Sequence, residues 1–208
     1  MSAKKSCGPR GRPRGFCPDQ ATETAMRLFA ARGYDGVGVA ELSEELGINP
    51  PSLYAAFGNK RGLFERALQL YADRFGGGLP DALNSQARLE DAVASVFHAA
   101  AEAYTADPDF VGCMVMESTK ACHDPDACAI VFQAQNSLRD LLLKRIERAR
   151  APEPEVLADF VIATLRGMSA SARTGLGRER LQEIGAIAAD GFAARVASAG
   201  SGPGDASE

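Results

Sequence analysis

Apolar residues recur every three or four positions along most of the chain, and no stretch alternates apolar and polar residues as a strand would. In one such segment Phe64, Leu68, Tyr71 and Phe75 would share one face of a helix. The pattern therefore predicts an all-α protein of about nine helices. We place them near 18–32, 39–45, 49–57, 59–75, 86–106, 111–122, 126–150, 154–174 and 178–197.

Proline, glycine and asparagine indicate where several of these helices begin and end. Asn49 is a good cap for the third helix, and Pro50 and Pro51 follow in the first turn, where proline is tolerated. The glycine run and proline within 76–80 predict a break after the fourth helix. We therefore divide the chain into an arm without fixed structure at 1–15, an N-terminal domain at 16–75, a C-terminal domain at 76–199 and a disordered tail at 200–208.

The two short helices at 39–45 and 49–57 are joined by Leu46-Gly47-Ile48 and form a candidate helix-turn-helix at 38–57. Neither helix is long enough to be stable alone, so both must pack on a neighbour. The second would be about 13 Å long, which suits insertion into a DNA major groove about 12 Å wide. Asn49, Ser52 and Tyr54 would supply hydrogen-bonding groups at that surface.

Charge is distributed unevenly along the 208 residues. The net charge is −4, but residues 1–66 hold 10 basic and 7 acidic residues, a net +3, and residues 67–208 hold 13 and 20, a net −7. Such asymmetry indicates that the N-terminal part meets a polyanion and the remainder does not. The overall acidity therefore does not argue against a nucleic-acid partner.

The composition of the chain excludes several other classes of protein. No apolar run approaches the ~18 residues of a membrane span, and no apolar segment follows the basic N-terminus as in a secretory signal. Five cysteines without regular spacing fit a reduced cytoplasmic chain better than a disulfide scaffold. We expect a cytoplasmic protein without a membrane partner.

The segment from Phe29 to Lys60 strongly resembles the DNA-binding domain of tetracycline-repressor (TetR) family regulators. The resemblance covers about residues 18–66 and is most specific in the pattern Gly-Ile-Asn, Ser-Leu-Tyr, Phe and Lys that runs from Gly47 to Lys60. The rest of the chain is compatible with that family's ligand-binding and dimerisation domain in helix pattern only. The resemblance implies a homodimeric, DNA-binding transcriptional regulator, most simply a repressor released from a palindromic operator by a small-molecule effector.

The resemblance also implies roles for individual residues. Tyr54 and Lys60 would contact phosphates, while Ser52 and the neighbouring prolines would lie against bases or backbone. Gly38 stands where the family commonly has a Ser or Thr cap that touches phosphate. The predicted contacts to double-stranded DNA in the helix-turn-helix domain are Gly38, Asn49, Pro50, Pro51, Ser52, Tyr54 and Lys60.

The N-terminal arm adds a second candidate DNA contact. Its Arg10, Arg12 and Arg14 resemble an AT-hook, in which arginines flank a slim glycine in an A·T-rich minor groove. A solvated basic tail remains the alternative.

The C-terminal domain contains aromatic and methionine residues suited to an apolar effector pocket. The candidates are Phe97, Tyr104, Phe110, Met114, Phe132, Phe160 and Met168, with Glu117 available to orient a ligand. For each aromatic or methionine residue taken singly, an ordinary core position is the simpler interpretation.

The last two long helices are expected to form the dimer interface, as the resemblance implies. A run of small residues there would let helices approach closely. The candidate interface residues are Phe160, Gly167, Ala170, Ser171, Ile184 and Ile187.

Cys122, His123 and Cys128 suggest a different kind of sensor. They flank Pro125 and could converge as a thiol switch or a soft-metal site, so a redox- or metal-responsive repressor is the alternative function. Incidental cysteines are the simpler interpretation, and no metal site or cofactor is predicted. The chain has no glycine-rich phosphate loop, nucleophile elbow or zinc spacing, so no catalytic residue is predicted and we expect no enzyme.

Overall fold

The computed structural model describes residues 16–76, 78–108, 110–117 and 122–200, and within these ranges all regular structure is helical. The described residues form ten α-helices and one π-helical turn, one α-helix more than predicted, and they confirm the all-α class. The α-helices are Pro18–Arg32 (α1), Val39–Glu45 (α2), Pro50–Phe57 (α3), Lys60–Tyr71 (α4), Gly78–Ser85 (α5), Leu89–Ala103 (α6), Met114–Glu117 (α7), Pro125–Arg148 (α8), Pro154–Arg173 (α9) and Arg178–Gly200 (α10).

The predicted break around residues 76–80 is wrong, because α5 occupies most of it. Pro80 lies in the first turn of α5, where a missing N–H costs little, and Leu79 and Leu83 anchor the helix by burial. The interruption lies earlier, in the π-helical turn Ala72–Gly76 that continues α4. Sequence spacing alone did not reveal this change of helical pitch.

The helix predicted at 111–122 is also wrong in its extent. Among the described residues of this range, 111–117 and 122, only Met114–Glu117 is helical, and Cys122 lies in the segment that leads into α8. Asp124 caps α8, its side chain accepting hydrogen bonds from the N–H groups of Asp126 and Ala127 at 3.0 and 3.2 Å. The predicted arm at 1–15 lies outside the described residues, as does the tail beyond Gly200, where α10 ends.

Helices α1 to α4 surround an aromatic core. The rings of Phe29 and Phe64 meet edge to face with centroids 5.0 Å apart, and Tyr34 lies 5.0 Å from Phe64. Leu42 of α2 and Leu53 of α3 are fully buried in the same core. Since burial of a leucine contributes about 1.5–3 kcal/mol, these side chains hold two helices that are too short to be stable alone.

Helices α1 to α4 form one layer of the molecule, and helices α5 to α10 form the second layer. The closest packing is between α6 and α10, where a Cβ on Gly185 would lie 3.0 Å from the Cβ of Phe97. Arg139 of α8 pairs with Asp159 of α9 at 2.6 Å. Although α8, α9 and α10 have 24, 20 and 23 residues, no described helix is long and apolar enough to cross a membrane.

Candidate functional site

The turn between α2 and α3 depends on a glycine and on an asparagine cap. Gly47 has φ +63°, a conformation that glycine adopts without the steric cost of a side chain. Asn49 then caps α3, its Oδ1 accepting the N–H of Ser52 at 2.9 Å. Pro50 and Pro51 occupy the first two helical positions, as predicted.

This cap leaves the first turn of α3, residues 50–53, without an unbonded backbone donor. Pro50 and Pro51 have no N–H, the Ser52 N–H is bonded to Asn49, and the Leu53 N–H is bonded to the Asn49 carbonyl at 3.1 Å. Helix N-termini usually bind phosphate through such N–H groups. At α3, contacts with DNA must therefore come from side chains.

The outward face of α3 carries most of the predicted contacts. Asn49, Pro50 and Pro51 are exposed, and the ring of Tyr54 is 47% exposed, while Ser52 is half-buried. The buried side chains Leu53 and Phe57 lie on the opposite face. Gly38, at the start of α2, is exposed, with nothing within 4 Å of the position that a Cβ would take. Arg10, Arg12 and Arg14 lie outside the described residues.

The side chain of Lys60 does not point freely into solvent, as it would if its role were only to contact a phosphate. Its ammonium lies 4.1 Å from the centroid of the Tyr34 ring, and the side chain is half-buried. Burial lowers the pKa of Lys60, while the nearby carboxylates Asp35 and Asp124 act in the opposite direction. A phosphate contact would therefore require this ammonium to leave the ring.

A set of polar contacts, here called the junction, joins α1–α4 to the start of α8. The Tyr34 hydroxyl donates to Asp124 at 3.2 Å, and the ring Nδ1 of His123 lies 2.9 Å from the Asp35 carboxylate. Burial and the Asp124 charge raise the pKa of Tyr34 to about 12. The backbone N–H of Ala127, followed by the Tyr34 hydroxyl, lowers the pKa of Asp124. Tyr34 therefore remains a donor and Asp124 an acceptor across the neutral range.

Two arginines strengthen the connection between the two layers. Arg61 of α4 pairs with Asp126 of α8. Arg173, the last residue of α9, donates to the Ala30 carbonyl at 3.0 Å, in the last turn of α1. A cation at a helix C-terminus is favourable because it meets the negative end of the helix dipole.

A cavity of about 330 Å³ lies between α4, its π-helical turn and helices α5 to α8. Tyr71 and Phe75 form part of its wall, and the ring of Phe110 stacks on both with centroids 5.5 Å away. Burial raises the pKa of Tyr71 well above its usual value, and its hydroxyl contacts the Cys113 thiol. The described residues that line the cavity carry no charge. They are Gln69, Tyr71, Ala72, Phe75, Leu79, Pro80, Ala103, Tyr104, Cys113, Val115, Met116, Ala134, Ser137, Leu138 and Leu141.

Of the residues predicted to line an effector pocket, Tyr104 lines this cavity and Phe110 supports its wall. Phe97, Met114 and Met168 are core residues that lie outside the lining. Phe132 and Phe160 are exposed, at 52% and 39%, because they lie on outer helix faces. Glu117 is the last residue of α7.

The outer faces of α9 and α10 expose apolar and small residues. Val156 and Phe160 of α9 are 63% and 39% exposed, and Ile187 of α10 is 72% exposed. Gly167 and Gly191 lie in the interiors of these helices, with nothing within 4 Å of an added Cβ. Among the other predicted interface residues, Ala170, Ser171 and Ile184 are half-buried.

The structure brings Cys122 and Cys128 together but does not form a metal site from them. No group of three or more His, Cys, Asp or Glu side chains within the described ranges could hold a metal ion. His123 contacts Asp35 instead. The thiol part of the alternative is geometrically possible, and the metal part has no support.

Sequence reasoning missed the junction residues because they are distant in sequence. Asp35 and His123 are 88 positions apart, and Arg173 and Ala30 are 143 apart. No periodicity or motif connects such pairs. The one signal in this region is the acidic, cysteine-containing segment before α8, and its composition suggests a sensor, not a contact with the N-terminal helices.

Comparison with known proteins agrees with this architecture. The sequence profile of "Bacterial regulatory proteins, tetR family" matches residues 21–67, which include α2 and α3. The HTH-type transcriptional repressor BdcR of Escherichia coli is 38% identical over 91% of this chain and 96% of its own length. The HTH-type transcriptional repressor ComR of the same organism is 34% identical over 84% and 88%.

A solved structure shows a similar chain on DNA. A cysteine mutant of the regulator CifR, complexed with 26-base-pair double-stranded operator DNA, has a TM-score of 0.78 at 32% identity. The match covers 86% of this chain and 98% of the CifR chain.

Proposed function

The chain belongs to the TetR family of bacterial transcriptional regulators, which are DNA-binding proteins and not enzymes, and we propose that it is a homodimeric repressor released from a palindromic operator by a small molecule. Residues 16–75 bind DNA and residues 76–199 bind the effector and form the dimer. The main observation behind this proposal is the exposed face of α3. The opposite face of α3 is buried in the core, and Asn49 caps the start of the helix.

Side chains of α3 support recognition in the major groove. Because the first turn has no unbonded N–H, Tyr54 and Ser52 supply hydrogen bonds, and Pro50 and Pro51 supply apolar contact. Such contact suits thymine methyl groups, which project into the major groove. Arg10, Arg12 and Arg14 add charge for the adjacent minor groove, and Lys60 adds a phosphate contact if its ammonium turns away from Tyr34.

The outer faces of α9 and α10 support a two-fold interface. These two helices leave the large apolar side chains of Val156, Phe160 and Ile187 exposed, and a partner that covered such side chains would remove apolar surface from water. The open space beside Gly167 and Gly191 lets a second pair of helices approach closely. Two-fold symmetry then spaces two α3 helices for half-sites about 34–36 Å apart, or a multiple of that distance.

The cavity supports a neutral, mainly apolar effector. Its volume of about 330 Å³ suits a small organic molecule, and its uncharged lining would not compensate a buried ion. Residues of α4 and α8 share the wall, and the Arg61–Asp126 ion pair connects the same two helices. An effector that favours another arrangement of these helices would therefore change the placement of α3.

The test combines binding-site enrichment with a measurement of molecular mass. Random DNA selected on the full chain should yield an inverted repeat, and light scattering coupled to gel filtration should give the mass of a dimer. Ile187→Asp should reduce the mass to that of the monomer and weaken operator binding, because it buries charge in an apolar interface. The matched control is Phe132→Asp, at an exposed apolar residue of α8 that lies outside α9 and α10, which should leave the dimer mass unchanged.

Two outcomes would contradict the proposal. Selection that enriches no sequence above the input would exclude a specific operator. A monomeric wild-type chain that binds a single half-site would exclude the dimeric mechanism.

A further inference from the structure

The thiols of Cys122 and Cys128 meet at the N-terminus of α8. The Cys128 thiol donates to the Cys122 carbonyl at 2.9 Å, and the Cys122 thiol donates to the Asp124 carbonyl at 3.5 Å. The Cys128 thiol is also close enough to Cys122 to raise the pKa of the Cys122 thiol, in addition to the larger effect of burial. Both cysteines are free and half-buried, so a small oxidant can reach them.

We propose that Cys122 and Cys128 form a dithiol that a peroxide converts to a disulfide, and that this modification releases the protein from DNA. The first part depends only on the two thiols. The second part rests on the function proposed above, because it requires an operator from which the protein can be released.

The oxidation balances with hydrogen peroxide as the two-electron oxidant. The Cys128 thiolate attacks one peroxide oxygen, the O–O bond breaks, hydroxide leaves, and a sulfenic acid forms on Cys128. The Cys122 sulfur attacks that sulfenic sulfur, the S–S bond forms, and hydroxide leaves and takes the Cys122 proton as water. Burial raises the pKa of Cys122 to about 12, which favours Cys128 as the first sulfur to react.

The disulfide would change the segment that carries the junction. Both thiol hydrogens are lost, so the carbonyls of Cys122 and Asp124 lose their S–H donors. A disulfide also requires sulfur atoms about 2.05 Å apart, closer than two sulfur atoms approach without a bond between them. The segment must therefore shift toward α8.

That shift acts directly on the N-terminal helices. His123 binds the Asp35 carboxylate through both its backbone N–H and its ring, and Asp124 accepts the Tyr34 hydrogen bond. Moving these two residues moves or breaks their contacts with the segment after α1. The oxidised chain should consequently hold α3 differently from the reduced chain and bind the operator more weakly.

The modification is measured on the full wild-type protein, independently of DNA. The protein is treated with hydrogen peroxide, alkylated with iodoacetamide and digested with trypsin. Cleavage after Lys120 and Arg139 gives one peptide with Cys122 and Cys128, while the other cysteines fall in different peptides. We expect this peptide to be unalkylated, lighter by two hydrogen atoms than the dithiol, and to accept two alkyl groups after reduction with dithiothreitol.

The functional consequence is measured by fluorescence anisotropy on the inverted repeat obtained by enrichment. Oxidation should weaken binding by about tenfold, within the usual range of coupling between sites, and dithiothreitol should restore it. Cys122→Ser and Cys128→Ser should each bind DNA normally and not respond to peroxide. Cys17→Ser, at the N-cap of α1, is the matched control and should keep the full response.

Three results would overturn the inference. The peptide could remain fully alkylatable after peroxide, or Cys128 could advance to sulfinic acid without an S–S bond; either result excludes the disulfide. A disulfide that leaves DNA affinity unchanged excludes the regulatory role. If the reduced protein binds no enriched DNA, the function proposed above fails, and the peptide mass still decides whether the disulfide forms.

Discussion

At the scale of single residues, the first turn of α3 combines rigidity with a lack of backbone donors. Pro50 and Pro51 fix two backbone φ angles and remove two N–H groups, and Asn49 binds the N–H of Ser52. The surface is therefore defined by a few side chains on a stiff turn. Asn49 has a double role, since its Oδ1 completes the helix cap and only its amide nitrogen remains for DNA.

Two substitutions at Asn49 separate these roles. Asn49→Ala removes the 2.9 Å hydrogen bond to Ser52 and should lower the free energy of unfolding by about 1 kcal/mol, measured by urea denaturation. Asn49→Asp keeps an acceptor and should leave stability within about 0.5 kcal/mol of wild type. Because it places a negative charge near phosphates, it should nevertheless weaken operator binding. Unchanged DNA affinity in Asn49→Asp would show that this end of α3 does not approach DNA.

Residue identities also explain which features could be predicted from sequence. Caps and helix-stopping residues act on their own neighbours, so the bounds of α1, α2 and α3 were predicted correctly. The position of the Lys60 ammonium over Tyr34 could not be predicted, because it depends on the approach of a loop 26 residues away in sequence. For the same reason the pairing of Asp35 with His123 could not be predicted from the sequence.

At the scale of elements, the sharp turn from α3 into α4 requires a glycine. A Cβ on Gly62 would lie 2.2 Å from the Phe57 carbonyl oxygen, far inside van der Waals contact, and the backbone of the recognition helix would have to move. Asn59 caps α4 by accepting the Gly62 N–H at 2.8 Å. The orientation of α3 relative to α4 is thus fixed by backbone contact.

Gly62→Ala should therefore destabilise the protein despite the higher helix propensity of alanine. We expect a loss of about 1–3 kcal/mol, measured by urea denaturation, together with weaker operator binding. Gly78→Ala is the matched control: Gly78 opens α5, with nothing within 4 Å of the added Cβ, and should leave both quantities nearly unchanged. Equal stability of the two variants would argue against this tight turn.

Among the elements, those formed by tertiary contacts escaped prediction. The α5 helix has only eight residues and contains a glycine and a proline in its first turn. These local signals favour a break in place of a helix. It forms because Leu79 and Leu83 are buried beneath α6 and α8. The π-helical turn after α4 likewise follows from packing of Phe75 against Phe110.

At the scale of the whole molecule, the cavity lies where the two layers of helices share a wall. Its lining comes from α4 to α8, with its residues spread from Gln69 to Leu141. Sequence composition suggested an apolar pocket in this half of the chain but could not choose its residues, because most apolar side chains there fill the core. The lack of charge in the lining is visible only in three dimensions.

The uncharged lining predicts discrimination between two ligands of similar size. 2-Naphthol, which is neutral at pH 7, should bind in isothermal titration calorimetry at least about tenfold more tightly than anionic 2-naphthoate, since the cavity offers the carboxylate no cation. Leu138→Trp should fill the cavity and abolish naphthol binding, while Phe132→Trp, on an exposed face of α8, should not. Equal affinity for the two compounds would contradict a neutral effector.

Arg173 connects the C-terminal end of α9 to the last turn of α1, so a tilt of α9 would also move α1. A helix of 20 residues is about 30 Å long, and its outward face is the proposed pivot against a second subunit. A tilt of about 5° around that pivot, applied over the full length, displaces the far end by about 2.6 Å. Since Arg173 donates to the Ala30 carbonyl at that end, a small rotation in the proposed dimer would be magnified into a larger displacement of α1. Such a tilt would change the spacing between the two copies of α3, and no large rearrangement would be needed for the proposed dimer to lose its match to DNA.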